Sequence, residues 1–509
     1  MRPAFTILLS LLIAFTASCR KDFDTVLASG SLHFSKDTVY LDTVFSNIGS
    51  STYTLKVYNR QHKAIAVPVI SLENGEDSHY RLNVDGLPGK SFENVEIGGR
   101  DSLYIFVETT LDYSQLTDPL YIDALVFDHG DTSQKVALVT LVEDAHFLYP
   151  SNNAAGLVES IPIGTNSDGE ELRIQGFYLE DDTVFTDDKP YVIYGYCAIP
   201  ENKTLRIEAG TRIHFHENSG LIADKNASLH VEGEIGQPVT FEGDRLEPFF
   251  QDNPGQWGTI WLRAGSRDHR IDHALIKNAT IGILIDSMYN DAEPTLSLYN
   301  SQIYNSSLFG LLGRETHIYG ENLVINNSGQ SSLACTMGGQ YRFVHSTFAN
   351  YWNHTPRDYP AVLINNYVSY TAGNAQVVET RPLTTADFIN CIIEGAKSQE
   401  LIIDKADTDL DFNYVFKHNL IRFNDPENSY AAIPELNFED STHYSNNLLN
   451  GQPDFKNPLS NELIIGVNSD AVGQAQASGS STVPTDILGI YRTPPADIGA
   501  YQHIVFEED

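Results

Sequence analysis

Between residues 30 and 145 apolar and polar side chains alternate in short runs, each closed by turn residues. The runs are Leu32–Phe34, Thr38–Phe45, Thr52–Tyr58, Ile65–Ile70, Tyr80–Val84, Ser102–Thr109, Leu120–Phe127 and Lys135–Leu141, and glycines such as Gly49, Gly75, Gly86, Gly98 and Gly130 fall between them. A period of two turns one face of each strand toward a core and the other toward water. Short strands at this density predict an antiparallel β-sandwich.

From about residue 190 the alternation gives way to recurrence. The fragments Leu275-Ile276-Lys277-Asn278, Gln302-Ile303-Tyr304-Asn305, Leu323-Val324-Ile325-Asn326 and Thr347-Phe348-Ala349-Asn350 align, with their Asn residues 27, 21 and 24 positions apart. Ile392-Ile393-Glu394-Gly395 ends 45 positions after Asn350, which fits either two further turns or one turn carrying an insertion; His418-Asn419-Leu420-Ile421 follows. One short apolar strand every 20–30 residues, roughly, predicts a β-solenoid, because a single turn cannot bury its own apolar side. Asn after each strand suits such a fold: it tolerates left-handed backbone angles, and its amide can bond from one turn to the next.

Composition narrows the function classes. The 509 residues include 67 acidic and 32 basic side chains, for a formal charge of −35. Such a field repels phosphate backbones and anionic lipid surfaces, so no nucleic-acid partner is expected. With 26 Tyr and 25 Phe against 3 Met, the chain favours sheets over helical bundles. Cys197, Cys335 and Cys391 are far apart and lack CxxC spacing, so each is expected to pack as a small hydrophobe, with one disulfide among them left open.

The first residues carry an address. A basic Met1-Arg2 precedes an apolar run, Ala4–Ala17, too short to span a bilayer and of the length of a signal-peptide core. It ends in Thr16-Ala17-Ser18-Cys19, which resembles a bacterial lipobox with Thr16 where that motif usually has Leu. The resemblance implies cleavage before Cys19 and acylation of its new N-terminus. Arg20-Lys21-Asp22-Phe23-Asp24 resembles the export signal of Bacteroidota surface lipoproteins, which implies an outer-membrane protein facing the medium. No later segment is long and apolar enough to span a membrane, so the lipid is the expected anchor.

The strands at Thr54–Asn59, Ala64–Ile70 and Asp101–Val107 resemble immunoglobulin-like sandwiches of the ASPM, Hydin and major-sperm-protein type. The stretch Tyr191-Val192-Ile193, Lys203–Thr211 and Ile213-His214-Phe215, continuing through Leu229–Gly233, Gln237–Phe241 and Gly255–Leu262, resembles the pectate-lyase-like superfamily of right-handed parallel β-helices. Asp486-Ile487-Leu488-Gly489, Arg492 and Asp497-Ile498-Gly499-Ala500-Tyr501 resemble the closing segment of secreted bacterial β-helix proteins. The expected fold is therefore all-β, an N-terminal antiparallel β-sandwich followed by a right-handed parallel β-helix. Its expected parts are a signal peptide at 1–18, an acylated tether at 19–29, the sandwich at 30–145, a connector at 146–189, the β-helix at 190–440 and a closing segment at 441–509.

Fold says little about activity here, since the superfamily includes lyases, hydrolases, spikes, adhesins and non-enzymes. Ile271-Asp272-His273 is similar to a pectate-lyase fragment, but the calcium aspartates and downstream Arg motif are not matched, and a structural role is the favoured reading. Asp407, Asp409 and Asp411 share a strand face with Asp404 and Lys405 nearby; they read as a solvated face, with Ca²⁺ as the alternative. His214 and His216 share a face but lack a nameable third ligand. No catalytic residue and no metal ligand is therefore assigned. Aromatics crowd an expected insertion at 341–380, and among them Tyr351, Trp352 and Tyr359 are the candidate contacts for a protein partner or glycan, packing onto the flank being the alternative.

The expectation is a non-enzymatic surface lipoprotein. It would be a subunit of an outer-membrane assembly for barrel insertion, secretion or glycan import, with an integral β-barrel or other surface lipoproteins as partners. A polysaccharide lyase or glycoside hydrolase is the alternative, and a glycan-binding adhesin a further one.

Overall fold

The computed structural model describes residues 25–28, 32–129, 132–166, 169–288, 292–373, 375–406 and 409–506, in two compact units, 1–144 and 145–509. The chain is all-β, 52% strand and 4% helical, and among the described residues no helix is long and apolar enough to cross a membrane. The signal peptide, the lipobox and Cys19 lie outside the described residues.

In the first unit one sheet runs Val26–Leu27, Ile65–Leu72, Leu120–Asp128, Ser133–Glu143, Thr38–Phe45, with Ser91–Ile97 also paired to Ile65–Leu72. The other runs His33–Phe34, Tyr53–Tyr58, Ser102–Thr109, Tyr80–Val84, Leu87–Gly89. Val39, Leu41, Leu125, Phe127 and Leu138 from the first sheet share one core with Leu55, Val57, Tyr80, Ile105 and Val107 from the second. Two pairings differ from the expected antiparallel pattern: Val26–Leu27 lies parallel to Ile65–Leu72, and Ser133–Glu143 parallel to Thr38–Phe45. Val26 and Leu27 are thus a strand inside the expected tether. Ser91–Ile97 gave no alternation because its buried Phe92 and Val95 are three apart, with Asn94 at φ +51 between them.

The second unit contains an 11-stranded and an 18-stranded sheet among its described residues. Along the 11-stranded sheet the pairing is parallel, and each return of the chain adds one strand. Phe241 lies beside Ile276, then Ile303, Ile325, Phe348, Ile393, Ile421 and Leu449 in succession. Ile393 directly follows Phe348, so the long interval there is one return carrying an insertion. That insertion is the loop after Asn350 and the hairpin Tyr367–Ala372 with Ala375–Thr380. Tyr341 and Phe343, expected in it, are instead fully buried on the strand Leu333–Val344.

The expected connector also carries strands. His146–Leu148, Glu171–Tyr178 and Thr183–Phe185 pair in parallel with Tyr191–Ile193, Tyr196–Ile199 and Thr204–Glu208. These strands stand at the start of the sheets and bury few side chains, so they left no apolar signal.

Stacked side chains hold the returns in register. Phe343, Phe388, Phe416 and Tyr444 form a core column with centroids 5.3, 4.7 and 5.5 Å apart. At the turns, Asn305 donates its Nδ2 to Asn278 Oδ1 at 3.2 Å and Asn327 donates to Asn305 Oδ1 at 2.7 Å. All three have positive φ, between 56° and 66°. The ladder therefore passes through Asn327 and not Asn326, whose amide bonds Pro458 O and Asn461 Oδ1.

After Leu448–Leu449 the chain returns over the outer face of the 11-stranded sheet. Leu463, Ile487 and Ala500 pack on Tyr304, Val324 and Ala349, and Ile465, Ala471 and Ile498 on Ile392 and Leu420. Arg492 is buried beneath this segment, its Nη2 donating to Asn322 Oδ1 at 2.7 Å and to the carbonyls of Gly499 and Ala500. Asp486 accepts from the amides of Leu488, Ile490 and Gln502. The residues of the closing motif thus fasten the cover in place.

Candidate functional site

The structure separates the three candidate contact residues. Tyr351 is half-buried with its ring edge-on to Phe455 at 6.3 Å; Trp352 is only 9% exposed and donates its Nε1–H to Thr355 Oγ1 at 3.0 Å. Tyr359 is 44% exposed, and its carbonyl accepts from Arg357 Nη1. A shared aromatic platform does not form, because the loop turns the indole inward.

Tyr351 lines a cavity of about 310 Å³ with Glu394, Arg422, Gln452, Asp454 and Phe455. In-register pairing places Glu394 beside Ala349 on the outer face of the 11-stranded sheet, under the returning segment. Its carboxylate is 1% exposed; Oε1 accepts from Arg422 Nη1 at 3.1 Å, and Oε2 has no hydrogen-bond partner among the described residues. Burial pushes its pKa up to about 7, against the opposing pull of Arg422. Behind this wall, Arg357 and Glu400 form a buried bidentate pair at 2.6 and 2.9 Å. Glu400 also accepts the amides of Lys397 and Ala361, both at 2.7 Å, so it ties the inserted loop to the sheet. Sequence spacing could not reveal this, since Arg357 and Glu400 stand 43 residues apart.

Asp272 lies on the outer face of the 18-stranded sheet. It accepts from His273 Nδ1 at 2.7 Å and Asn300 Nδ2 at 3.1 Å, with Arg270 Nη2 at 3.0 Å. Burial opposes its charge, yet these three partners hold its carboxyl below the usual range. The Arg270 guanidinium covers the Tyr299 ring at 4.3 Å. Tyr319 on the next return donates to Glu321, whose own carboxyl burial pushes upward.

The other candidates disperse. His214 is buried, its Nδ1 3.2 Å from Gly243 O; His216 bonds Asp244 at 2.7 Å and lies tilted against the Tyr194 ring at 4.5 Å beside a cleft of about 840 Å³. Asp407 lies outside the described residues, while Asp409 and Asp411 are exposed. Among the described residues no group of three or more His, Cys, Asp or Glu is placed to hold a metal ion. Cys197, Cys335 and Cys391 are free and buried, and burial pushes each thiol upward.

The first unit presents a feature the alternation did not single out. Leu120 pairs with Leu141, and Ile122 with Val139, which pairs in turn with Tyr40. These side chains point away from the core, with Tyr40 at 63% exposure, Ile122 at 56%, Leu120 at 44% and Leu141 at 43%. The available signal was that Leu120-Tyr121-Ile122 and Leu138-Val139 are apolar at both phases of the alternation.

No family model matches this chain, and no curated protein matches it. Among solved structures, a family 123 glycoside hydrolase from Clostridium perfringens, studied for glycolipid glycan hydrolysis, aligns at 7% identity with a TM-score of 0.16. The alignment spans 23% of this chain and 30% of that one, and at this score it carries no argument.

Proposed function

We propose that this chain is an outer-membrane lipoprotein, acylated at Cys19 and facing the medium, in which a β-sandwich carries a right-handed parallel β-helix. In this reading it is a non-enzymatic subunit of an outer-membrane protein assembly. The observation that carries the reading is the apolar row Tyr40, Leu120, Ile122 and Leu141 on a chain of charge −35. A contiguous exposed apolar surface on so acidic a protein is costly unless something covers it. The net charge disfavours an anionic lipid surface as the occupant, which leaves a protein. From Cys19 to the strand at Val26 are seven residues, at most ~25 Å of extended chain, so an acyl anchor would keep the first unit close to the bilayer. The occupant is accordingly an integral β-barrel or a neighbouring surface lipoprotein. The parallel returns of the second unit and the core shared by the two sheets of the first support the two architectures. The test is retention of a membrane partner by wild type and its loss in the Ile122→Lys, Leu141→Lys double variant with lipidation intact.

A second reading, a polysaccharide lyase or glycoside hydrolase, rests on Arg270 standing beside Asp272 on an outer sheet face that also carries Tyr319 and Glu321. It predicts that polyuronate or neutral-glycan breakdown accompanies the purified protein and disappears in Arg270→Ala.

A further inference from the structure

We infer that the cavity formed by Tyr351, Glu394, Arg422, Gln452, Asp454 and Phe455 binds a single neutral sugar residue, with Glu394 Oε2 accepting from one of its hydroxyls. This site is separate from the docking row and stands whether or not a protein partner exists.

The argument begins with the carboxylate. An ionisable group at 1% exposure is normally satisfied on both oxygens, yet among the described residues Glu394 Oε2 has no hydrogen-bond partner, while Oε1 accepts from Arg422. Its neighbour Glu400 shows what full satisfaction looks like here: two bonds from Arg357 and two from backbone amides. The difference is that Glu394 borders an open cavity and Glu400 does not. An acceptor left over at such a wall fits a donor brought by a ligand.

The rest of the wall sets the ligand's class. Asp454 offsets Arg422 and Glu394 adds no positive charge, so the wall offers an anionic ligand no net attraction. A metal ion is a poor fit, because no group of three or more ligating side chains occurs among the described residues. Tyr351 and Phe455 supply apolar ring surface next to a carboxylate and a guanidinium. That pairing suits a pyranose, whose C–H faces rest on aromatic carbon while its equatorial hydroxyls point at polar groups. A volume of about 310 Å³ lies at the lower end of small-molecule sites, enough for one residue and not for a buried chain.

The test titrates the full-length protein, held in a detergent without a sugar headgroup, with methyl glycosides of glucose, galactose, mannose and N-acetylglucosamine. Galacturonate and its methyl ester are run beside them, with ligand-observed NMR as the readout. The expected result is saturable binding of at least one neutral glycoside, weakened about tenfold or more by Glu394→Gln and by Tyr351→Ala. Should Glu394→Gln fail to fold, Asp454→Asn interrogates the same wall with the same expectation. Three results overturn the proposal: no saturable binding of any neutral glycoside, binding that none of these variants weakens, or preference for galacturonate over its ester.

Discussion

The two units solve the burial of strands in opposite ways. In the first, mostly antiparallel strands pair both across a short turn, as Leu120–Asp128 with Ser133–Glu143, and over long intervals, as Tyr53–Tyr58 with Ser102–Thr109, while one outer face keeps exposed apolar side chains. In the second, strands in register are separated by whole returns of the chain, and register is held by buried polar groups: Asn278 and Asn305 of the ladder are at most 2% exposed, as are Glu394 and Glu400. Parallel stacking repeats the same turn at the same place. A polar side chain there finds its partner one return away instead of in water. The first unit leaves apolar side chains exposed outside, where a protein can cover them; the second holds an unpaired carboxylate oxygen, Glu394 Oε2, on a residue that lines a cavity.

The largest expected effect is on the buried pair. Arg357→Met leaves Glu400 charged and unpaired and lowers the stability of the second unit by about 3–5 kcal/mol. The three Trp residues, Trp257, Trp261 and Trp352, all belong to the second unit, so urea unfolding followed by Trp fluorescence isolates it. Core truncation sharpens the contrast. Phe388→Ala costs about 3–5 kcal/mol and moves the fluorescence transition, whereas Leu138→Ala costs about 2–5 kcal/mol and moves only the circular-dichroism transition of the first unit. A Leu138→Ala variant that shifts the Trp transition equally would show that the units do not unfold separately.

Next comes pH. Glu394 is faced by Arg422, Tyr351, Glu400 and Asp454, and its folded pKa of about 7 lies above its ordinary 4.5. Between those values the folded state keeps a proton that the unfolded state releases, so stability falls as pH rises through this window, by on the order of 3 kcal/mol. Glu394→Gln removes that slope, and denaturant midpoints measured from about pH 3.5 to pH 8 (about one unit either side of the window) would read it. A smaller loss, about 1–3 kcal/mol, is expected for Asn305→Ala, which breaks the ladder on both sides. The smallest is Ile122→Lys, within about 0.5 kcal/mol of wild type, because its side chain already faces water.

Legibility in the sequence followed the same divide. The alternation from Leu32 to Leu141 located eight strands of the first unit, since a half-buried strand writes its period directly into the chain. The Asn-terminated fragments located the returns of the second unit between Leu275 and Asn350. The strands between His146 and Phe185 were missed because terminal returns have little to bury. The ladder was placed on Asn326 instead of Asn327 because a one-residue slip changes which amide faces the next turn without changing the pattern. Glu394 was read only as part of Ile392-Ile393-Glu394-Gly395: a strand's period places a residue on the outer face, and nothing local announces that a segment beyond the next returns, at Leu420–Ile421 and Leu448–Leu449, will cover it.

The most direct measurement purifies the native protein through a C-terminal tag from gently solubilised outer membranes and identifies what accompanies it. A stoichiometric integral β-barrel or surface lipoprotein, lost in the Ile122→Lys, Leu141→Lys variant, is the predicted result. A lone, acylated monomer with the apolar row uncovered would contradict the account.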